Sequence, residues 1–444
     1  MNIKILKKQF LQYIIPSMFA VLLSSFYAIV DGLFVGNAAG NAALGAINLV
    51  WPLQCVINAT AIGIGIGSAV LMSTYMGNDN KTEAQKACST GIALLIVAGI
   101  ALPLLILLFL PQLLSFLGAS GELATLCKQY IIVILIGGIF PMIGNGCNPL
   151  IRNKGNTISA TILMCTGLFT NIILDYYLVF SLKLGLFGAG LATIIAQAVV
   201  ACTSFGYLLY TQRELFHRKM FSFDLADVKK IMKIGISPFG QALVPSLVII
   251  FTNWKCITYG GNDAVTIFSV VTYILSTVQL MLQGIGDGVQ PLFSFYYGAN
   301  KREELQWMYR HAFALSLFVS IIFTIVVGGF AGYLSDLFAI DMSLKMACVR
   351  AIRISTLAFT SLGIARLICA YFYATGQQKE STLLVYIEPC FLLPMSLIVM
   401  SNMFQLDGVW FAYPLVQMIL CIMALGINYM VKTEQQKKLA LEQI

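Results

Sequence analysis

The stretch Ser159-Ala-Thr-Ile-Leu-Met-Cys-Thr-Gly-Leu-Phe-Thr-Asn171-Ile-Ile-Leu-Asp175-Tyr-Tyr-Leu-Val-Phe-Ser-Leu182 sets the fold class. It is apolar almost throughout, and about 20 such residues suffice for a helix to cross a bilayer. An amide and an acid interrupt it. Asn171 and Asp175 are four residues apart, so on a helix they share one face. A carboxylate at membrane depth is costly, and it usually faces a cavity, a partner or an ion. A buried structural hydrogen bond is the plainer alternative.

Composition extends this reading to the whole chain. Of 444 residues, 59% are hydrophobic and 10% charged. Soluble domains run at roughly 45–50% and about 25%. The chain is therefore expected to be an all-α integral membrane protein. Its net charge of +8 would suit an anionic partner, but the basic residues cluster at helix ends, as bilayer orientation requires. No basic stripe with interleaved aromatics is present, which argues against nucleic acid. The eleven cysteines form no CxxC pair, so neither zinc nor a disulfide framework is indicated. Lys4, Lys7 and Lys8 precede an apolar run too long for a signal peptide, which reads as a retained first helix.

Twelve apolar runs follow one another: 10–36, 44–76, 88–110, 123–148, 158–182, 186–210, 231–259, 264–297, 311–334, 344–375, 381–402 and 406–431. Both termini are placed in the cytoplasm. Most of the 27 Lys and Arg then fall on the inner side. Lys128, Lys183, Lys255, Lys345, Arg350 and Arg353 fall at outer ends, and Arg366 lies within a run. A shift of 221 residues carries Gly63, Gly65 and Gly67 onto Gly284, Gly286 and Gly288, and Gly155 onto Gly376. Two homologous six-helix lobes of like orientation are expected, a parallel repeat. The expected organisation is an N-lobe at 1–212, a cytoplasmic linker at 213–230, a C-lobe at 231–432 and a cytoplasmic tail at 433–444. The glycine stripes themselves read as helix-packing positions. No GxxxxGK[ST] occurs, so the chain carries no P-loop of its own. Neither HExxH nor GxSxG is found, which argues against a membrane-embedded enzyme.

Depth estimates at about 1.5 Å per residue group the intramembrane polar residues. Asp31, Asn171, Asp175 and Thr193 fall at similar depth in one half. Two carboxylates, an amide and a hydroxyl suit Na⁺, and two close carboxylates could equally share a proton. Pro16 lies earlier in the first run, where a proline removes a helical hydrogen bond and bends the helix. Asn48, Gln54 and Asn58 form a polar stripe in the second run. Gln279, Gln283 and Asp287 form another in the eighth. Asp287, Arg366 and Glu388 fall at similar depth, as a self-neutralising cluster or as a cavity lining.

Taken together, these features resemble the multidrug and toxic-compound extrusion (MATE) family, in its bacterial drug-exporter branch. The resemblance spans nearly the whole chain. It rests on the six-plus-six repeat, Val30-Asp31-Gly32-Leu33-Phe34-Val35-Gly36, Gly284-x-Gly286-x-Gly288-x-Gln290-Pro291, Asn171-x-x-x-Asp175 and Gly188-Ala189-Gly190-Leu191-Ala192-Thr193. It implies a secondary antiporter that exports amphipathic organic cations in exchange for H⁺ or Na⁺, contributing to antibiotic resistance. It also implies a coupling-ion site at Asp31, Asn171, Asp175 and Thr193, with Pro16 as the bending point of helix 1. The expected setting is a monomer in the bacterial cytoplasmic (inner) membrane, in contact with lipid and small drug-like substrates, with no cofactor beyond the coupling ion and no ATPase subunit. A flippase for lipid-linked precursors is the competing expectation; it would want Arg or Lys lining its cavity.

Overall fold

The computed structural model describes residues 2–211, 224–338 and 340–442, with the side chains of 25–44 and 435–442 outside that description. Every regular element among the described residues is helical. This is the arrangement a bilayer enforces, because a helix satisfies its own backbone.

The first helix, α1 (Ile3–Gly77), is 75 residues long. Laid straight it would measure roughly 110 Å, far beyond a hydrocarbon core of about 30 Å. Its two ends nevertheless meet one segment. Gln9 accepts a hydrogen bond from the Tyr296 hydroxyl, and Gly77 lies against the Phe295 carbonyl. The two arms of α1 therefore run back along each other. Glycine is required at this closure, since a Cβ on Gly77 would strike Phe295 and one on Gly298 would strike Thr74.

The chain divides into two compact units. The first comprises Met1–Leu243 and Pro291–Leu305, the second Val244–Gln290 and Gln306–Ile444. In the first unit α1 is followed by α2 (Lys81–Leu108), α3 (Leu110–Phe116), α4 (Gly121–Ile136), α5 (Ile139–Asn153), α6 (Thr157–Leu174) and α7 (Gly185–Thr211). A π-helical stretch, Asp175–Ser181, continues α6. Small residues bring these helices together, as expected where lipid offers no hydrophobic drive to association. Gly65 lies against the backbone of Gly146, and Gly63 against Gly235 at the start of α8 (Leu225–Gly298). Lys230 donates to the Tyr75 hydroxyl at 2.8 Å and contacts Asp227 at 3.2 Å, fastening α8 to the end of α1. The expected linker 213–230 lies outside the described residues as far as 223, and is helix from Leu225.

The second unit holds the middle of α8, most of α9 (Arg302–Gly329), α10 (Ala331–Leu337), α11 (Met342–Thr356), α12 (Phe359–Ala374), α13 (Gln378–Ile387), a π-helical stretch Glu388–Leu392, and α14 (Leu393–Glu442). Two long helices, α8 and α14, continue from one apolar run into the next and reverse at a single residue. In α8 that residue is Gly261, with φ +59°, a conformation glycine adopts freely. In α14 it is Gln405, with φ +51°, where a side chain is strained. Gly408 closes the second reversal, since a Cβ there would meet the Met400 carbonyl.

Several runs differ from the simple spans expected. Run 123–148 is α4 and α5, bent by 55°, and run 344–375 is α11 and α12. The first bend falls at Gly137–Gly138, where Cβ atoms would strike Ile194 and Pro103. The short helices α3 and α10, seven residues each, lie at the ends of runs 88–110 and 311–334. Among the described residues, eight helices are long and apolar enough to cross a membrane, and the bent pair makes nine.

Candidate functional site

The fifth apolar run positions the first cluster. On α6, Thr157, Thr161, Asn171 and Asp175 recur at helical spacing and share a face. The upper pair is buried, Asn171 at 3% and Asp175 at 0% exposure. Asp175 opens the π-helical stretch, a distortion frequent at functional sites. Neither Oδ1 nor Nδ2 of Asn171 makes a hydrogen bond among the described residues. A buried amide left so costs about 1–3 kcal/mol, which a bound ion or solvent would offset. Thr193 sits half-buried on α7, a helix packed against the π-helical stretch. One turn on, the Oε1 of Gln197 is also buried without a hydrogen bond among the described residues. Gln197 escaped the sequence reading, although its four-residue spacing from Thr193 was visible there. The side chain of Asp31 lies outside the described residues.

The lower pair on α6 grips the proline of α1. Pro16 has no N–H, so the carbonyl of Gln12 loses its helical partner. Thr157 Oγ1 donates to that carbonyl at 2.7 Å, and Thr161 Oγ1 donates to the Pro16 carbonyl at 3.1 Å. One helix face therefore carries both the buried acid and the contacts that hold the proline segment. The two threonines read as unremarkable residues in sequence.

The polar stripe of the second run is largely paired. Gln54 Nε2 donates to Tyr130 Oη at 3.3 Å, and Asn58 Oδ1 accepts from Asn145 Nδ2 at 3.2 Å. Asn48 is exposed. In the second unit, Gln279 is buried, while Gln283 and Asp287 are half-buried on α8. Arg366 and Glu388 are brought together, with Nη2 and Oε2 at 3.6 Å. Gln417 Nε2 donates to the other Glu388 oxygen at 2.7 Å. Gln417 is one of two amides in the twelfth run, with Asn428, and no sequence signal sets it apart.

A multi-helix membrane fold with buried acids, amides and hydroxyls on facing helices defines a multi-pass membrane transporter, not an enzyme. The chain belongs to the MatE family, whose model matches it twice, at residues 16–177 and 239–400. It is 25% identical to the multidrug export protein MepA of Staphylococcus haemolyticus over 427 residues, 95% of this chain and 93% of that one. It is 24% identical to MepA of Staphylococcus aureus (strain NCTC 8325 / PS 47) over 433 residues, 96% and 94%. Among solved structures it resembles a MATE protein crystallised in complex with MaL6, with a TM-score of 0.92 at 23% identity and 97% of each chain covered. It also resembles a MOP superfamily transporter from Pyrococcus furiosus, with a TM-score of 0.90 at 23% identity, covering 96% of this chain and 95% of that one. At such identity these structures bear on the fold alone.

Proposed function

We propose that this protein is a secondary active multidrug antiporter that exports amphipathic organic cations in exchange for H⁺ or Na⁺. The observation that carries the reading is the placing, on one face of α6, of the fully buried Asp175 beside the amide of Asn171, which makes no hydrogen bond among the described residues. Carboxylate, amide and hydroxyl oxygens are the donors a hard monovalent cation takes, and the same carboxylate takes a proton. In this reading Asp31, Asn171, Asp175 and Thr193 bind the coupling ion. The Thr157 and Thr161 contacts carry the change in α6 to the proline segment of α1. Binding drives the cycle because the ion prefers one of two conformations, and exported substrate prefers the other. The names of the MepA relatives support export of drugs.

The proposal includes an N-lobe at 1–212 and a C-lobe at 231–432, joined by a cytoplasmic linker, with both termini inside the bacterial cytoplasmic membrane. Asn48, Gln54 and Asn58 in the first unit, and Gln279, Gln283 and Asp287 in the second, are the polar groups that contact substrate in this reading. The protein works as a monomer with no ATPase partner. The flippase alternative weakens because Arg366, the intramembrane cation it would use, already faces Glu388. The deciding experiment is efflux from proteoliposomes under Na⁺ and H⁺ gradients imposed separately. Export driven by either gradient in the wild type, and by neither in Asp175→Asn, is expected. Wild-type rates in Asp175→Asn would remove the site from the mechanism.

A further inference from the structure

The second unit contains a buried acid that the first-unit site does not use. Glu388 is 2% exposed, Arg366 5% and Gln417 1%. Their geometry is that of a loosely held ion pair. The 3.6 Å between Arg366 Nη2 and Glu388 Oε2 exceeds the hydrogen-bond range of about 2.7–3.2 Å. That nitrogen makes no hydrogen bond among the described residues. A buried pair offsets its desolvation only when geometry is close and every proton is satisfied. This pair falls short of both.

Two cavities adjoin the carboxylate. One, of about 10 Å³, is bounded by Arg366, Cys369, Glu388 and Gln417. The other, of about 20 Å³, is bounded by Thr272, Ser276, Gln279, Glu388 and Tyr413, within otherwise apolar walls. Each has room for a water and no organic molecule. The Oγ1 of Thr272 is buried without a hydrogen bond among the described residues, so the second cavity has a free polar group to hold water. Glu388 also opens a π-helical stretch whose second residue, Pro389, has no N–H to offer. Such stretches are frequent at functional sites.

We propose that Glu388, held between Arg366 and Gln417 at the junction of two water-sized cavities, is a proton-binding site of the second unit. A hydronium in the Gln279 cavity gives its proton to a Glu388 oxygen and is left as water. The carboxylate becomes a neutral acid, and Arg366 keeps its charge but loses its counter-charge. The arriving proton thus replaces Arg366 as the partner of the carboxylate. The other titratable groups bounding these cavities are Cys369 of α12 and Tyr413 of α14; α8 presents the uncharged Gln279, Ser276 and Thr272. The site's place in a transport cycle rests on the export reading, but proton binding does not.

Infrared difference spectra of the purified protein in lipid nanodiscs, between neutral and acid pH, test it without substrate. A protonated-carboxyl stretch is expected in the wild type and in Asp175→Asn, and its Glu388 component is expected to be lost in Glu388→Gln. Arg366→Gln removes a cation that favours the ionised acid, so the midpoint of this band should move to higher pH by about 1–3 units. A band unchanged in Glu388→Gln, or a midpoint unmoved in Arg366→Gln, overturns the proposal. Either single variant leaves one buried group uncompensated and could fail to fold. The doubly neutral Arg366→Gln/Glu388→Gln then serves, and a band unchanged from wild type there is equally fatal. In proteoliposomes, Glu388→Gln should lose its response to an imposed pH gradient; wild-type response overturns a role in the cycle. A wild type that exports nothing under any gradient would sink the export reading and leave the infrared result standing.

Discussion

At Asn171 and Asp175 two buried polar residues lie one turn apart with different expected roles. Asp175 bears the charge, so Asp175→Asn keeps the shape and should abolish gradient-driven efflux. Equilibrium drug binding and thermal unfolding close to wild type would separate this from misfolding. Asn171 makes no hydrogen bond among the described residues, so its replacement breaks none among them. Asn171→Leu should therefore leave the unfolding temperature unchanged or raise it, because an unmade buried bond is removed. The same variant should weaken ion dependence, measured as the gradient needed for half-maximal efflux. A large fall in unfolding temperature would instead mean that the amide is structural. Both residues were legible in sequence because helical spacing and burial in an apolar run are local properties. Thr157 and Thr161 were not, because their hydrogen bonds reach Gln12 and Pro16, each 145 residues away.

The α1–α6 contact is an element-scale device. Thr157 accommodates a carbonyl that exists as an unpaired group because Pro16 follows it by four residues. Thr157→Val/Thr161→Val should cost about 1–2 kcal/mol of stability, the range for such bonds between membrane helices. Pro16→Ala returns an N–H to the Gln12 carbonyl. In that background Thr157→Val should cost measurably less, and a double-mutant cycle of thermal unfolding reads the difference. Equal cost in both backgrounds would show that the threonine does not serve the proline. The reversal in α14 makes a second prediction at this scale. Gly408→Ala places a methyl against the Met400 carbonyl and should destabilise by about 1–3 kcal/mol. No periodicity marks Gln405 as a turn, since the residue is neither glycine nor proline and its strain is imposed by the packing on both sides.

Across the whole molecule, the family match at 16–177 and again at 239–400 supports an internal repeat, as the 221-residue shift had suggested. The compact units do not follow that midpoint, because the first takes in Leu225–Leu243 and Pro291–Leu305. Acids and amides in apolar surroundings lead us to expect export of lipophilic cations over anions. Dye efflux comparing an ethidium-like cation with an anion of similar size checks this, and faster export of the anion would reverse it.

Length, apolarity and polar spacing are one-dimensional quantities, so the sequence by itself determined a helical membrane protein, an internal repeat and the face shared by Asn171 and Asp175. Depth estimates also brought Arg366 and Glu388 into one cluster. The tertiary structure alone decided that these two stand 3.6 Å apart with Gln417 on the far oxygen. It alone put two threonines on the proline segment and broke the fourth run at Gly137–Gly138. Such pairings depend on how helices distant in sequence rotate and interlock, and small residues at their crossings set that rotation.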